Sequence, residues 1–196
     1  MERSACGPDT IVLENVVELL QAADLLFTSG LRCACLIVLY SSIDIMAWLF
    51  CPETEHVNSK RAFLDWVERY LLPGSRIDCS PLDVYSARCG VLHKFSAFST
   101  LTRAGEARPV CYSWGKAERS DLEQALAEKG IEAAVVEIES LIAAVKRAVD
   151  RSFSAVSSDA EMQQLIGARG REFFGGVRQG KLREPLFPPG LPQESG

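Results

Sequence analysis

"LRCACLIVLYSSIDIMAWLFC", residues 31–51, is nearly long enough to cross a bilayer, and its reading decides the fold. Asp44, Ser41 and Ser42 interrupt the apolar run. An unpaired carboxylate near the middle of a membrane costs about 3 kcal/mol or more, and neither basic flanking clusters nor a second span accompany this one. A helix covered on most sides by other helices accounts for the same letters. The stretch therefore reads as the buried spine of a helical bundle, and no membrane partner is expected.

The chain on either side reads as helices with clear punctuation. Upstream, "DTIVLENVVELLQAADLLFTSG" (9–30) keeps Val12, Val16, Leu19, Leu20, Ala23, Leu26 and Phe27 at helical spacing and stops at Gly30. Downstream, "SKRAFLDWVERYLLPG" (59–74) follows an Asn58-Ser59 cap, turns Phe63, Val67, Tyr70 and Leu71 to one face, and ends at Pro73-Gly74. A fourth helix opens in "SPLDVYSARCGVLHKFS" (80–96), with Ser80 as N-cap, Pro81 in first place and Asp83 completing a capping box.

Beyond it the pattern changes. Residues 95–115, "FSAFSTLTRAGEARPVCYSWG", are rich in β-branched and aromatic residues around Ala104-Gly105 and predict a β-hairpin or a pair of extended segments. Ser120 and Glu123 form a second capping box before a stop at Gly130. From Ile131 a longer helix is predicted, carrying Val135, Ile138, Ile142, Val145, Val149 and Val156 as a seam against its own bundle or, as the alternative, against another chain in a structural interaction protein. The expected architecture is mainly α: an up-down helical bundle with a small hairpin-like insertion and extra C-terminal helices. One domain is expected over 1–175, with its core at 9–97, the insertion at 95–115, helices at 120–174 and a loose Pro- and Gly-rich tail at 175–196.

A length of 196 residues suffices for one sizeable core, and 47% hydrophobic with 24% charged residues excludes a disordered or fibrous chain. The net charge of −5 argues against bulk nucleic-acid coating, yet Arg88 to Arg119 hold six Lys or Arg against two Glu. That local excess marks either an anion site or a solvated basic loop. Seven cysteines without a C-x-x-C pair predict free thiols in a reducing cytoplasm, and Cys33 and Cys35 have no further pair to complete a zinc site. "MERSACGPDT" has no apolar signal core. Neither metal nor cofactor is expected.

In the fourth helix Val84, Val91 and Phe95 form an apolar stripe, and Arg88 falls inside it. A guanidinium in that place must meet a buried carboxylate, or the stripe must open onto a cleft or subunit boundary where an anion binds. His93, five residues on, lies about 140° round and roughly 7.5 Å along an ideal helix, so the two are not expected to share a face. A turn loosened at Gly90, or a second copy across a two-fold axis, is expected to complete the site.

"RCGVLH", Arg88 to His93, on the fourth helix of such a bundle resembles the arginine-x(4–6)-histidine pattern of the HEPN superfamily. The resemblance covers residues 9–97. It implies a metal-independent endoribonuclease, a homodimer whose arginine–histidine helices face each other, often restrained by a cognate antitoxin or serving phage defence. It implies Arg88 and His93 as catalytic residues and Asp44 as an acidic support of the arginine; the alternative is an Asp44–Arg88 ion pair that merely holds the bundle together. Cys89 stands where active members commonly carry a polar residue, and Phe95 near where some toxin subfamilies have tyrosine.

The chemistry needs few parts. RNA cut through its own 2′-hydroxyl asks for a base, an acid and a cation, and leaves a 2′,3′-cyclic phosphate. His93 exchanges protons near neutral pH, while Arg88 offers a planar fork of donors to phosphate oxygens. Tyr85, Ser86 and Lys94 are candidates to hold the RNA backbone. His56, in the polar loop "CPETEHVNSK", reads as a solvated residue. The competing reading is a non-catalytic HEPN-like dimer that binds RNA, a nucleotide or a protein partner, and Cys89 favours it.

Overall fold

The computed structural model describes residues 8–52, 59–115 and 119–172. Over them the chain is mainly helical: α1 (Pro8–Thr28), α2 (Arg32–Leu49), α3 (Ser59–Trp66) running on into a π-helical turn (Val67–Leu71), α4 (Pro81–Lys94), α5 (Thr100–Arg103), β1 (Val110–Ser113), α6 (Arg119–Ala127), β2 (Ala134–Glu137), α7 (Ile138–Val156) and α8 (Ala160–Glu172). Cys6, His56, Asn58 and the tail beyond 172 lie outside the described residues.

α2 packs against α1, α3, α4, α7 and α8. Cys35, Leu39, Ile43, Met46 and Leu49, spaced by three or four, are completely buried; each fully buried Leu, Ile or Met contributes about 1.5–3 kcal/mol. By length and composition α2 alone among the described helices is apolar enough to span a membrane. Half of it is buried inside the protein, and its Asp44 carries an ion pair. α1 ends at Gly30, where the Gly30 and Leu31 N–H groups donate to Phe27 O and Leu26 O and turn the chain directly into α2.

The predicted hairpin is not there. Ser99 accepts from the N–H groups of Leu101 and Thr102 and starts α5, and Gly105 at φ +72° ends it, with Glu106 N–H returning to Leu101 O. Local capping overrode the β-rich composition. β1 instead pairs in parallel with β2, from Val110↔Ala134 to Ser113↔Glu137, and α6 supplies the crossover that parallel strands require. Val135 accordingly lies on a strand rather than in the seam, while Ile138, Ile142, Val145, Val149 and Val156 are buried along α7. α6 is described from Arg119, and the Glu123 carboxylate accepts from the Arg119 guanidinium.

Two polar ties cross the core. Arg169, only 3% exposed, donates through Nη1 to the carbonyls of Trp48, Leu49 and Cys51 at 2.6–3.0 Å, a cation closing the carbonyl end of α2. Tyr40 on α2 meets Tyr112 on β1 with hydroxyl oxygens 2.5 Å apart.

Candidate functional site

Both ends of α4 are fixed. At its start Ser80 Oγ accepts from Asp83 N–H at 3.1 Å and Asp83 Oδ2 from Ser80 N–H at 2.9 Å. Asp83 is buried and also takes Arg108, whose N–H lies 2.7 Å from Oδ1 and whose Nε and Nη2 lie 3.1 and 3.0 Å from Oδ2. Burial pushes this carboxyl up, but the bonds from Ser80 and Arg108 outweigh it and hold the group below its ordinary value. The segment leading to β1 is thereby clamped to α4.

At the other end the chain folds back over Gly90. The N–H groups of Phe95 and Ser96 both donate to Gly90 O, and a Cβ at Gly90 would press into the Ser96 carbonyl well inside van der Waals contact. Gly90 therefore gives the returning backbone room; it does not loosen the helix. Ser86 is fully buried, its hydroxyl 2.6 Å from that of Ser99. That corrects its expected role: it ties α4 to the start of α5 and does not reach the site.

Arg88 projects from the middle of the helix to Asp44 on α2, its Nη2 2.6 Å and Nε 2.7 Å from the same Oδ2. Both side chains remain about a quarter exposed, 24% and 29%. Burial alone would lower the proton affinity of the guanidinium; the Asp44 bonds more than offset it and leave the group raised above its ordinary value. The free edge of the fork turns outward, with Nη1 3.4 Å from His93 Nε2 and 3.9 Å from Cys89 Sγ. One helix thus brings arginine and histidine together after all, because the arginine is long enough to span their angular offset. A guanidinium has no acceptor, so this contact uses the Nε2 lone pair and leaves the imidazole proton on Nδ1.

Tyr85 stands beside Cys89, its phenol pushed up by burial and then by Cys89, with its ring edge-on to Phe63 at 5.3 Å. Lys60 Nζ on α3 lies 5.6 Å from that ring, a second cation near the site. Sequence reading missed Lys60, since no spacing relates α3 to α4. Lys94 is exposed in the last turn, where a cation favours the helix dipole. Among the described residues no group of three or more His, Cys, Asp or Glu is gathered as a metal set. Further along α4, Val91 and Phe95 wall a cavity of about 350 Å³ between α2, β1 and the start of α7.

No family model, curated protein or solved structure matches this chain. What the geometry itself offers is an exposed imidazole whose Nε2 faces a guanidinium held in place by a carboxylate. Such a pair can move a proton and neutralise an oxyanion at one point in space.

Proposed function

We propose that the protein is an endoribonuclease of the HEPN type, which cuts RNA by attack of the 2′-hydroxyl on the adjacent phosphorus without a metal ion. The observation that carries this reading is the Asp44-anchored Arg88 with its free edge 3.4 Å from the exposed His93 nitrogen. His93 takes or returns the proton; Arg88 holds the non-bridging phosphate oxygens, and Asp44 fixes the plane of the fork. A homodimer sharing its α4 helices supplies a second histidine, so that base and acid are both present, and a protein antitoxin restraining such a nuclease belongs to the same proposal.

Labelled RNA incubated with the protein in chelator tests it. Cleavage is expected to persist, to leave 2′,3′-cyclic phosphate ends, and to fall about 10²–10⁴-fold in His93→Ala, the worth of one general acid or base. Equal cleavage by both proteins, or 3′-hydroxyl ends with a magnesium requirement, would overturn it. A second reading, a binding module without cleavage, draws on Cys89, whose thiol lies against Arg88 Nη1. RNA retained intact by the wild type selects it.

A further inference from the structure

Phe95 costs stability that the chain itself does not recover. It is the single non-glycine residue at positive φ among the described residues, at φ 48° and ψ 42°. That is a helix-ending position where glycine is the default because it has no Cβ to strain. Its ring is also 72% exposed, so burial does not offset the strain. A backbone outlier of this kind, holding an aromatic ring in solvent, points to use of the ring by something outside the fold.

The ring stands over the 350 Å³ cavity, whose other walls include Leu36, Val91, Tyr112, Ile138 and the half-exposed Trp114. The Arg32 guanidinium lies 4.8 Å from the Trp114 ring centroid, with Nη1 donating to Gly30 O and Nε buried without a hydrogen-bond partner among the described residues. Arg32 also opens α2, whose N-cap Leu31 contributes no side-chain acceptor, so the positive end of that helix lies at the rim. The nearby Glu139 carboxylate is occupied by the Gly115 N–H. On α4, Arg88 follows Ala87 directly and comes about one turn before Val91, and both Ala87 and Val91 wall the cavity.

We propose that this cavity takes one unpaired nucleobase of an RNA strand whose neighbouring phosphate lies at Arg88 and His93, with Phe95 and Trp114 as stacking faces; the inference rests on the ribonuclease reading. Apolar and aromatic walls accept the face of any base, while the guanidinia of Arg32 and Arg88 match the phosphates on either side of it. A volume near the lower end of ligand pockets suits a base better than a larger molecule. The site selects single strands, because a paired base cannot leave its stack without cost.

The test uses a fluorescent single-stranded oligodeoxynucleotide of about ten nucleotides, within the usual span of a single-strand groove; it lacks the 2′-hydroxyl and cannot be cut. Phe95→Ala and Trp114→Ala are expected to weaken its binding about 5- to 150-fold, the worth of one stacked base. A single abasic position walked along the strand should reproduce that loss at one place, and there be indifferent to Phe95→Ala. Phe95→Gly should weaken binding equally while its thermal midpoint stays at or above wild type, since the strain is gone. Unchanged binding in these variants, a lowered midpoint in Phe95→Gly, or conversion of a dimer to a monomer by Phe95→Ala would each overturn the base site and leave the ribonuclease reading standing. No binding by the wild type would overturn the base site, and cleavage of labelled RNA in chelator decides the ribonuclease reading separately.

Discussion

Asp83 and Arg88 each pair with an opposite charge, yet the two pairs answer to different conditions. Asp83 is buried and its carboxyl is held below the ordinary value of 3.8. A carboxyl depressed in the folded state stabilises fully above its unfolded pKa, and that contribution is lost as pH falls through the folded one. Acid unfolding should therefore steepen below about pH 4. Asp83→Asn should flatten the loss between pH 4 and 2, as followed by circular dichroism; an identical acid profile would show that Asp83 does not govern it. Arg88 and Asp44, a quarter exposed, form a pair between the surface and buried extremes. Arg88→Ala is expected to cost about 1–2 kcal/mol by urea denaturation, in addition to its effect on cleavage, whereas exposed His93→Ala should leave stability unchanged. The capping box at Ser80 is legible in the letters from spacing; the anomaly of an arginine in an apolar stripe asks for a carboxylate or an open cleft, and only the family resemblance points to Asp44. Arg108 on Asp83, and Lys60 by Tyr85, join residues 25 apart or more with no periodic signal, so no local reading reaches them.

At the scale of elements, the turn after α4 is the most demanding joint. Gly90→Ala would drive a methyl into the Ser96 carbonyl and push residues 95–97 away from the helix. A loss of about 1–3 kcal/mol is expected from this overpacking, with weakened RNA binding even where the variant is fully folded. Urea titration together with an oligonucleotide binding curve checks it, and a variant indistinguishable from wild type in both would refute the tight return. The same segment explains why the insertion was misread. Thr100, Leu101 and Thr102 have strand-like preferences, but Ser99 offers its hydroxyl to two N–H groups and Gly105 a left-handed stop, and a four-residue helix follows. Val135 reads as part of the α7 seam because a short apolar strand running into a helix keeps hydrophobic spacing without a break.

At the scale of the whole molecule, the case for a dimer changes its footing. A stranded guanidinium does not demand one, since Asp44 compensates it within the chain. Transesterification, however, needs both a base and an acid, and the described residues of one chain place a single histidine at Arg88. Static light scattering at micromolar concentration should give twice the chain mass of 21.5 kDa. A monomer that still cleaves RNA would place the second proton-transfer group on this same chain.

The Arg169 contact has a consequence for the order in which the protein is made. It reads the carbonyls at the end of α2 and lies over the Trp48 ring, 5.6 Å from its centroid, so most of the latch is held by backbone rather than by particular letters. Its two ends are separated by 120 residues between Leu49 and Arg169. At about 5–20 residues per second of synthesis, the apolar spine is made roughly 6–24 s before the arginine that closes it exists. During that interval the greasiest helix of the chain depends on its earlier neighbours, or on a chaperone, to keep it from aggregating.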